Sequence, residues 1–530
     1  MTPRPLPWLA GAAALLLLFT TLCGSMWSDS VDLAHHYSLV ARLAEHWRLQ
    51  AAYDHSLGEM NVYPRLSHAL AAALARLNGS PLLGLQWTAV ASWITAWAVL
   101  VAMLRQLPAR AAALGAAVLA ALLLLNYFGP RLELHGSELV VNFFFSQIVG
   151  QAFALALLLL ALHMERVGVA PLWRYALLLA GIRLCCGIHL MPATELLAVL
   201  ALQAALDLAA WPRRRQGLAA SLPALAIVLA PIAGALLLYT HPGFAVMKSI
   251  SANSGGIHTV FLTTLPGFGA YAALLLLLSA ALLQCWRRLA AAAPAQAGQA
   301  LGLKYLALYG LACAGSCLLQ LALLHWDMGS EYAVKKYLFA LHSAMLLQLS
   351  LLPVVLLGWH RDLPHVGRER NWQLAGGAAG LLLLAMATAG TQRPKVLDTR
   401  AMMRIERQLT LLRDQHLAAQ PGRYDYVSQL PGLSPNGAYM YSIGLLHTPR
   451  TDDLRDVMNG RAPRALQMIG NLLTGPAGEY SQYQACRAPG SSATLLILDG
   501  ACLQRLAPHD HPQTRLSAPP PAAAGAADLT

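Results

Sequence analysis

Charge is what this chain has little of. Only 12% of its 530 residues are Asp, Glu, Lys or Arg, while 57% are hydrophobic; a soluble domain carries about a quarter charged residues. That shortage excludes an ordinary soluble enzyme. The C-terminal region has no glycine-rich phosphate loop and no internal repeat, so nothing there cradles a nucleotide in the P-loop manner. No C-x-x-C pair lies outside the apolar runs, which removes the zinc-site reading. The formal charge of +12 sits mostly in short loops between apolar runs and does not argue for nucleic acid.

What the chain has instead is long apolar blocks rather than amphipathic stripes. Runs of about twenty such residues cross a bilayer as helices, because only a helix or a closed barrel satisfies every backbone polar group there. About eleven spans are predicted: 7–26, 82–104, 111–127, 144–163, 172–190, 192–210, 218–239, 267–285, 305–325, 337–358 and 373–390. The first is read as an uncleaved helix. Its basic flank offers only Arg4, and Leu22 stands where a lipoprotein site ending at Cys23 needs a small residue.

Lys and Arg in short loops set the orientation. With the N-terminus inside, the inner loops hold Arg105, Arg110, Arg166, Arg174, Arg213–Arg215, Arg287, Arg288, Lys304, Arg361, Arg368 and Arg370; the short outer loops hold only Arg131, Lys248, Lys335 and Lys336. An odd number of spans then leaves the tail outside. Six of the eight cysteines fall in or at the ends of predicted helices, as small apolar residues do. The remaining two, Cys486 and Cys502, are expected to form a disulfide in an oxidising compartment.

The fold class expected is therefore an all-α polytopic membrane protein over 1–390, with a small extracytoplasmic α/β or α+β domain over 391–506 and a disordered Pro/Ala-rich tail over 507–530. In the soluble domain, 398–417 has helical periodicity, with Met402, Ile405, Leu409 and Leu412 on one face. Strands are expected at 424–427, 439–443 and 494–498.

The outer loops carry the chemistry. In the first, Asp29, Asp32, His35 and His36 lie within eight residues of each other, and Tyr63-Pro64 follows. Asp29 and Asp32, three apart, share a helix face. One suits a general base towards an acceptor hydroxyl and the other an orienter or metal ligand; the alternative is that Ser28, Asp29 or Ser30 merely caps the helix. His35 and His36 suit hydrogen bonds to substrate better than a metal, having no third ligand in view. The second loop brings Glu133, His135 and Glu138, with Glu138 either capping the next helix or facing Asp29 and Asp32 across an outer cavity. In the fifth, Tyr332, Lys335 and Lys336 suit a lipid phosphate, unless the lysines only snorkel to the interface. Arg183 is expected to pair with Glu195 or to hold a lipid phosphate. Asp207 is expected to pair with Arg213–Arg215.

These segments, with the soluble C-terminal region, resemble the GT-C superfamily of integral-membrane glycosyltransferases. The resemblance implies a sugar donor carried on polyprenyl phosphate, a glycan, lipid or protein acceptor, contact with membrane lipids, and residence in the bacterial inner membrane. It places the catalytic role on Asp29 or Asp32, with Asp29, nearer the helix end, preferred. A divalent cation, Mg or Mn, is compatible, since some members use one and others none. No WWDYG-like motif occurs in the tail, which argues against protein N-glycosylation. The inner loops are too short for a nucleotide-sugar domain. Three readings compete: an O-antigen ligase or polymerase, which keeps its Arg and His residues in late loops; a transporter or flippase, which needs broken helices near the midplane; and a non-catalytic scaffold whose tail binds glycan.

Overall fold

A computed structural model describes residues 6–26, 29–49, 52–210, 221–253, 261–292, 300–356, 397–414 and 434–450. Short pieces at 425–427, 467–470, 485–486 and 496–498, and the single residues 257, 259, 298 and 502, complete it. Helix dominates, as the apolar blocks require. Among the described residues, seven helices are long and apolar enough to cross a membrane, starting at Pro81, Arg110, Phe145, Leu190, Leu265, Leu301 and Glu331. The number rises to eight if the pair Ala224–Tyr239 and Pro242–Ala252, bent by 64°, counts as one span. The bend falls at Thr240-His241, where Pro242 cannot continue the preceding hydrogen-bond ladder. The chain is a multi-pass membrane protein. The expected span 172–190 is a helix of 16 residues, Pro171–Cys186, short of a full crossing. The span expected at 7–26 forms a helix over Leu6–Cys23, and 373–390 lies outside the described residues.

The chain divides into two compact units. The first comprises 1–22, 62–67 and 89–394. It is a bundle in which α7 (Phe145–Arg166) packs on α8 (Pro171–Cys186), and α9 (Leu190–Ala210) packs on α8 and on α13 (Leu301–His325). Also in it, α15 (Leu338–Leu356) lies between α5 (Ala109–Phe128) and α13. Its fully buried aromatics include Trp93, Trp97, Tyr175, Tyr309, Phe143 and Phe339. Four charges tie α7, α8, α9 and α13 together. Glu165 accepts from Lys304 at 2.6 and 2.8 Å and from Tyr305 at 2.8 Å, and also pairs with Arg174. Arg174 in turn lies 3.6 Å from Asp207, which accepts from Tyr175 at 2.5 Å. Two cations balance two anions, which is how charge survives where desolvation is costly. Asp207 thus finds Arg174; Arg213–Arg215 lie outside the described residues.

The second unit comprises 23–61, 68–88 and 395–530. The chain passes from the first unit to the second after 394, and the tail shares the second unit with most of the first loop. Ser30 caps α2 (Val31–Glu45), its side chain accepting from Leu33 N–H. Asp398 caps α16 (Thr399–Leu412), which buries Met402, Ile405 and Leu409 as its periodicity predicts. Ser434 caps α17 (Pro435–Gly444), with proline in the first turn. The stretch 439–443, expected as a strand, lies inside this helix; the Ser-Pro start signal outweighs the aromatic content. Strands do form at β3 (Asp425–Val427) and β5 (Leu496–Leu498), joined by an unexpected β4 (Gln467–Gly470), parallel to β3 and antiparallel to β5. A disulfide links Cys486 and Cys502. Residues 507–530 lie outside the described ones.

Candidate functional site

In the second unit the two first-loop carboxylates part company. Asp29 accepts a hydrogen bond from Ser434 Oγ at 2.5 Å, and its carbonyl accepts from Asn436 Nδ2 at 2.9 Å. It thereby fastens the first loop to the start of α17. Asp32 stands half-buried in the first turn of α2, where the helix N-terminus favours its negative charge. The helix beneath it is held firmly. Tyr37 meets the Tyr441 ring edge-on at a centroid distance of 5.6 Å and donates to Glu406 at 2.8 Å. Glu406 also accepts from Ser80 Oγ and from Leu82 N–H. Burial pushes the Glu406 carboxyl above its usual range, and the hydrogen bonds from Ser80, Tyr37 and Leu82 offset that only in part.

The two histidines face different partners. His36 Nδ1 lies 2.9 Å from His68 Nε2, the rings stacked and both buried. One proton serves that bond, so at least one imidazole is neutral. His35 Nδ1 lies 3.0 Å from Glu59, and its Nε2 is 3.3 Å from Tyr439 Oη. Arg450 closes the bracket on Glu59 at 2.6 Å. His35, expected to bind substrate, is thus part of a clamp between the first loop and the tail. Burial alone would raise the Glu59 carboxyl, but His35 and Arg450 outweigh it and hold it at about 2.

That shift has a sign. A carboxyl depressed by folding stabilises the fold wherever it is ionised in both states, and the contribution is lost as pH falls from the ordinary 4.5 towards about 2. Thermal melting followed against pH should therefore show an acid limb in this window. Glu59→Gln should flatten part of it; Asp54, held low by Ser56 and Arg42 against its burial, keeps the rest. An unchanged limb in the variant would remove Glu59 from the clamp.

In the first unit, Glu138 does not face open space. It is fully buried, with His135 Nδ1 at 3.1 Å from one oxygen and Gly136 N–H donating to the other at 2.5 Å. His135 Nε2 lies 2.7 Å from Tyr309 Oη, and its carbonyl accepts from Trp97. Gly136 has φ +103 and lies so close to the Trp93 indole that no Cβ fits. This set locks the turn of the second loop. Glu133 is buried beside it, its carbonyl accepting from His342 at 3.1 Å.

The lysine pair also divides. Lys335 pairs with Glu331 at 2.6 Å. The Lys336 ammonium lies 4.3 Å from the Phe144 ring centroid and 4.6 Å from that of Tyr332, a cation held by two aromatic faces. Phe144 follows Phe143, whose φ of +59 is unusual for a bulky residue and costs about 1–3 kcal/mol. The expected Arg183–Glu195 pair does not form: Arg183 is exposed, while Glu195 is buried and accepts from Gln151 at 2.9 Å. Among the described residues no group of three or more His, Cys, Asp or Glu side chains is arranged to hold a metal ion.

His189 was expected as a buried ionisable group beside Arg183 and Glu195, whereas Glu59, Ser434 and Gln151 were not expected from the sequence. The Ser434-Pro435 helix start was the only one of these with a local signal. The fold and these groupings define a multi-pass membrane protein with polar clusters both on its spanning helices and on the segments between them. Comparison of the chain with known protein families, curated proteins and solved structures gives no match.

Proposed function

We propose that the protein is a membrane glycosyltransferase that moves a sugar from a polyprenyl-phosphate donor to a cell-envelope acceptor. The observation that carries this reading is a first-loop carboxylate, Asp32, half-buried in the first turn of a firmly packed helix. Asp32 is assigned the base that takes the acceptor's hydroxyl proton as the anomeric carbon is attacked. Polyprenyl phosphate leaves, and its charge needs a cation to offset it. Asp29 serves as a positioning residue. The test is transfer of radiolabelled sugar from polyprenyl-phosphate donors by the purified protein in membranes, together with the envelope glycan that disappears on deletion of the gene. No transfer from any donor, and no glycan change, would refute the reading.

The reaction requires the tail outside the cytoplasm. With the N-terminus inside, a reporter fused after Leu506 should be active only if it works outside. Cytoplasmic activity would overturn the orientation and the outward-facing chemistry together.

A second reading, a transporter, is favoured by one observation, the 64° break between the helices that meet at Pro242, since broken helices mark transport pathways. It predicts that sealed vesicles accumulate or flip a lipid-linked sugar with no covalent product.

A further inference from the structure

Four buried polar side chains of the first unit converge around the start of α9. Gln147 and Gln151, four apart on α7, share a face. Gly150 lies between them and brings this face onto α9, because a Cβ there would stand 2.9 Å from Pro192 and 3.4 Å from Ile188. Gln151 donates its amide to one oxygen of Glu195, and Gln147 donates to the Lys336 carbonyl at 3.0 Å. Those bonds orient both amides and leave both carbonyl oxygens aimed elsewhere. His189 Nδ1 accepts from Met191 N–H at 3.2 Å. With Nδ1 accepting, the imidazole is neutral and carries its proton on Nε2.

Gln147 Oε1, Gln151 Oε1, Glu195 Oε1 and His189 Nε2 have no hydrogen-bond partner among the described residues, although their side chains are only 1%, 1%, 3% and 4% exposed. Leaving such groups unpaired in a protein interior is costly. They amount to three acceptors and one donor beside a cation. An apolar ligand would leave all four unpaired, and a metal ion would find a single carboxylate among its oxygens, a nitrogen that already holds a proton, and the repelling charge of Lys336 nearby. Adjacent hydroxyl groups, each able to donate one bond and accept others, match the set.

We propose that Gln147, Gln151, His189 and Glu195 form a subsite for the hydroxyls of a sugar, with Lys336 beside it for the phosphate that carries that sugar. This rests on the transferase reading and names the part of the donor that these residues recognise.

The full-length protein in detergent is titrated with undecaprenyl phosphate. It is then titrated with the same lipid bearing glucose, mannose, galactose or arabinose, and binding is read by native mass spectrometry. At least one sugar-bearing lipid should bind about 10- to 100-fold more tightly than the bare phosphate, as a few hydrogen bonds to buried groups allow. Gln151→Met and Gln147→Met should each cut that advantage about tenfold and leave the bare lipid unaffected. If either variant fails to fold, the wild-type protein carries the test: donors lacking single sugar hydroxyls should lose about tenfold at one or more positions. Bare lipid bound with no advantage for any sugar, or an advantage untouched by both variants and by every deoxy donor, overturns the subsite and leaves these atoms to ordered water only. Binding of neither lipid overturns the transferase reading, and the subsite falls with it.

Discussion

Asp32→Asn should reduce sugar transfer by about 10²–10⁴-fold while leaving the protein folded, because removing a general base typically costs that much in rate. The amide keeps the shape of the carboxylate and can still accept a hydrogen bond, but it cannot take the acceptor's proton at neutral pH. Asp29→Asn should behave differently. Its amide oxygen can still accept from Ser434, so transfer should fall only modestly, with any loss accompanied by weaker attachment of the first loop to α17. Radiolabel transfer measured beside melting temperature separates the two. If Asp32→Asn transfers at the wild-type rate, the assignment of the base is wrong. If Asp29→Asn is the one that loses orders of magnitude at unchanged stability, the two carboxylates have exchanged roles.

Glu406→Ala should be the most damaging single change to the second unit. Its carboxylate accepts from Tyr37, Ser80 and Leu82 N–H, so truncation strands three buried donors at once. The expected cost is on the order of 3 kcal/mol, since each unsatisfied buried group costs about 1–3 kcal/mol. A drop of several degrees in melting temperature should accompany it. Glu406→Gln keeps an oxygen for part of the set and should cost less. Equal melting of Glu406→Ala and wild type would show that the three donors are satisfied in another way.

The residues explain which parts of this architecture were legible beforehand. Apolar blocks have few alternatives to the helix in a membrane, so 82–104 or 305–325 could be read from composition. The face of Met402, Ile405 and Leu409 could be read from its period. The strand expected at 439–443 failed because Tyr, Met and Ile suit either state, and the decision lies in the preceding Ser434-Pro435. The site was legible as a list of residue types but not as a geometry. Asp29 meets a partner 405 residues away and His36 one 32 away; no local pattern encodes either pairing. The lysines looked equivalent in sequence, yet Glu331 one turn earlier claims Lys335, while Phe144, from a distant helix, faces Lys336.

The bond between Tyr37 and Glu406 spans 369 residues of chain. A ribosome adding about 5–20 residues per second needs roughly 20–70 seconds to supply that stretch. For all that time α2 exists without the helices that cover it. The order of synthesis thus makes the tail a late checkpoint: a chain that stops before residue 406 has its bundle helices and its Asp32 but no settled first loop. Incomplete copies leave the buried face of α2 uncovered.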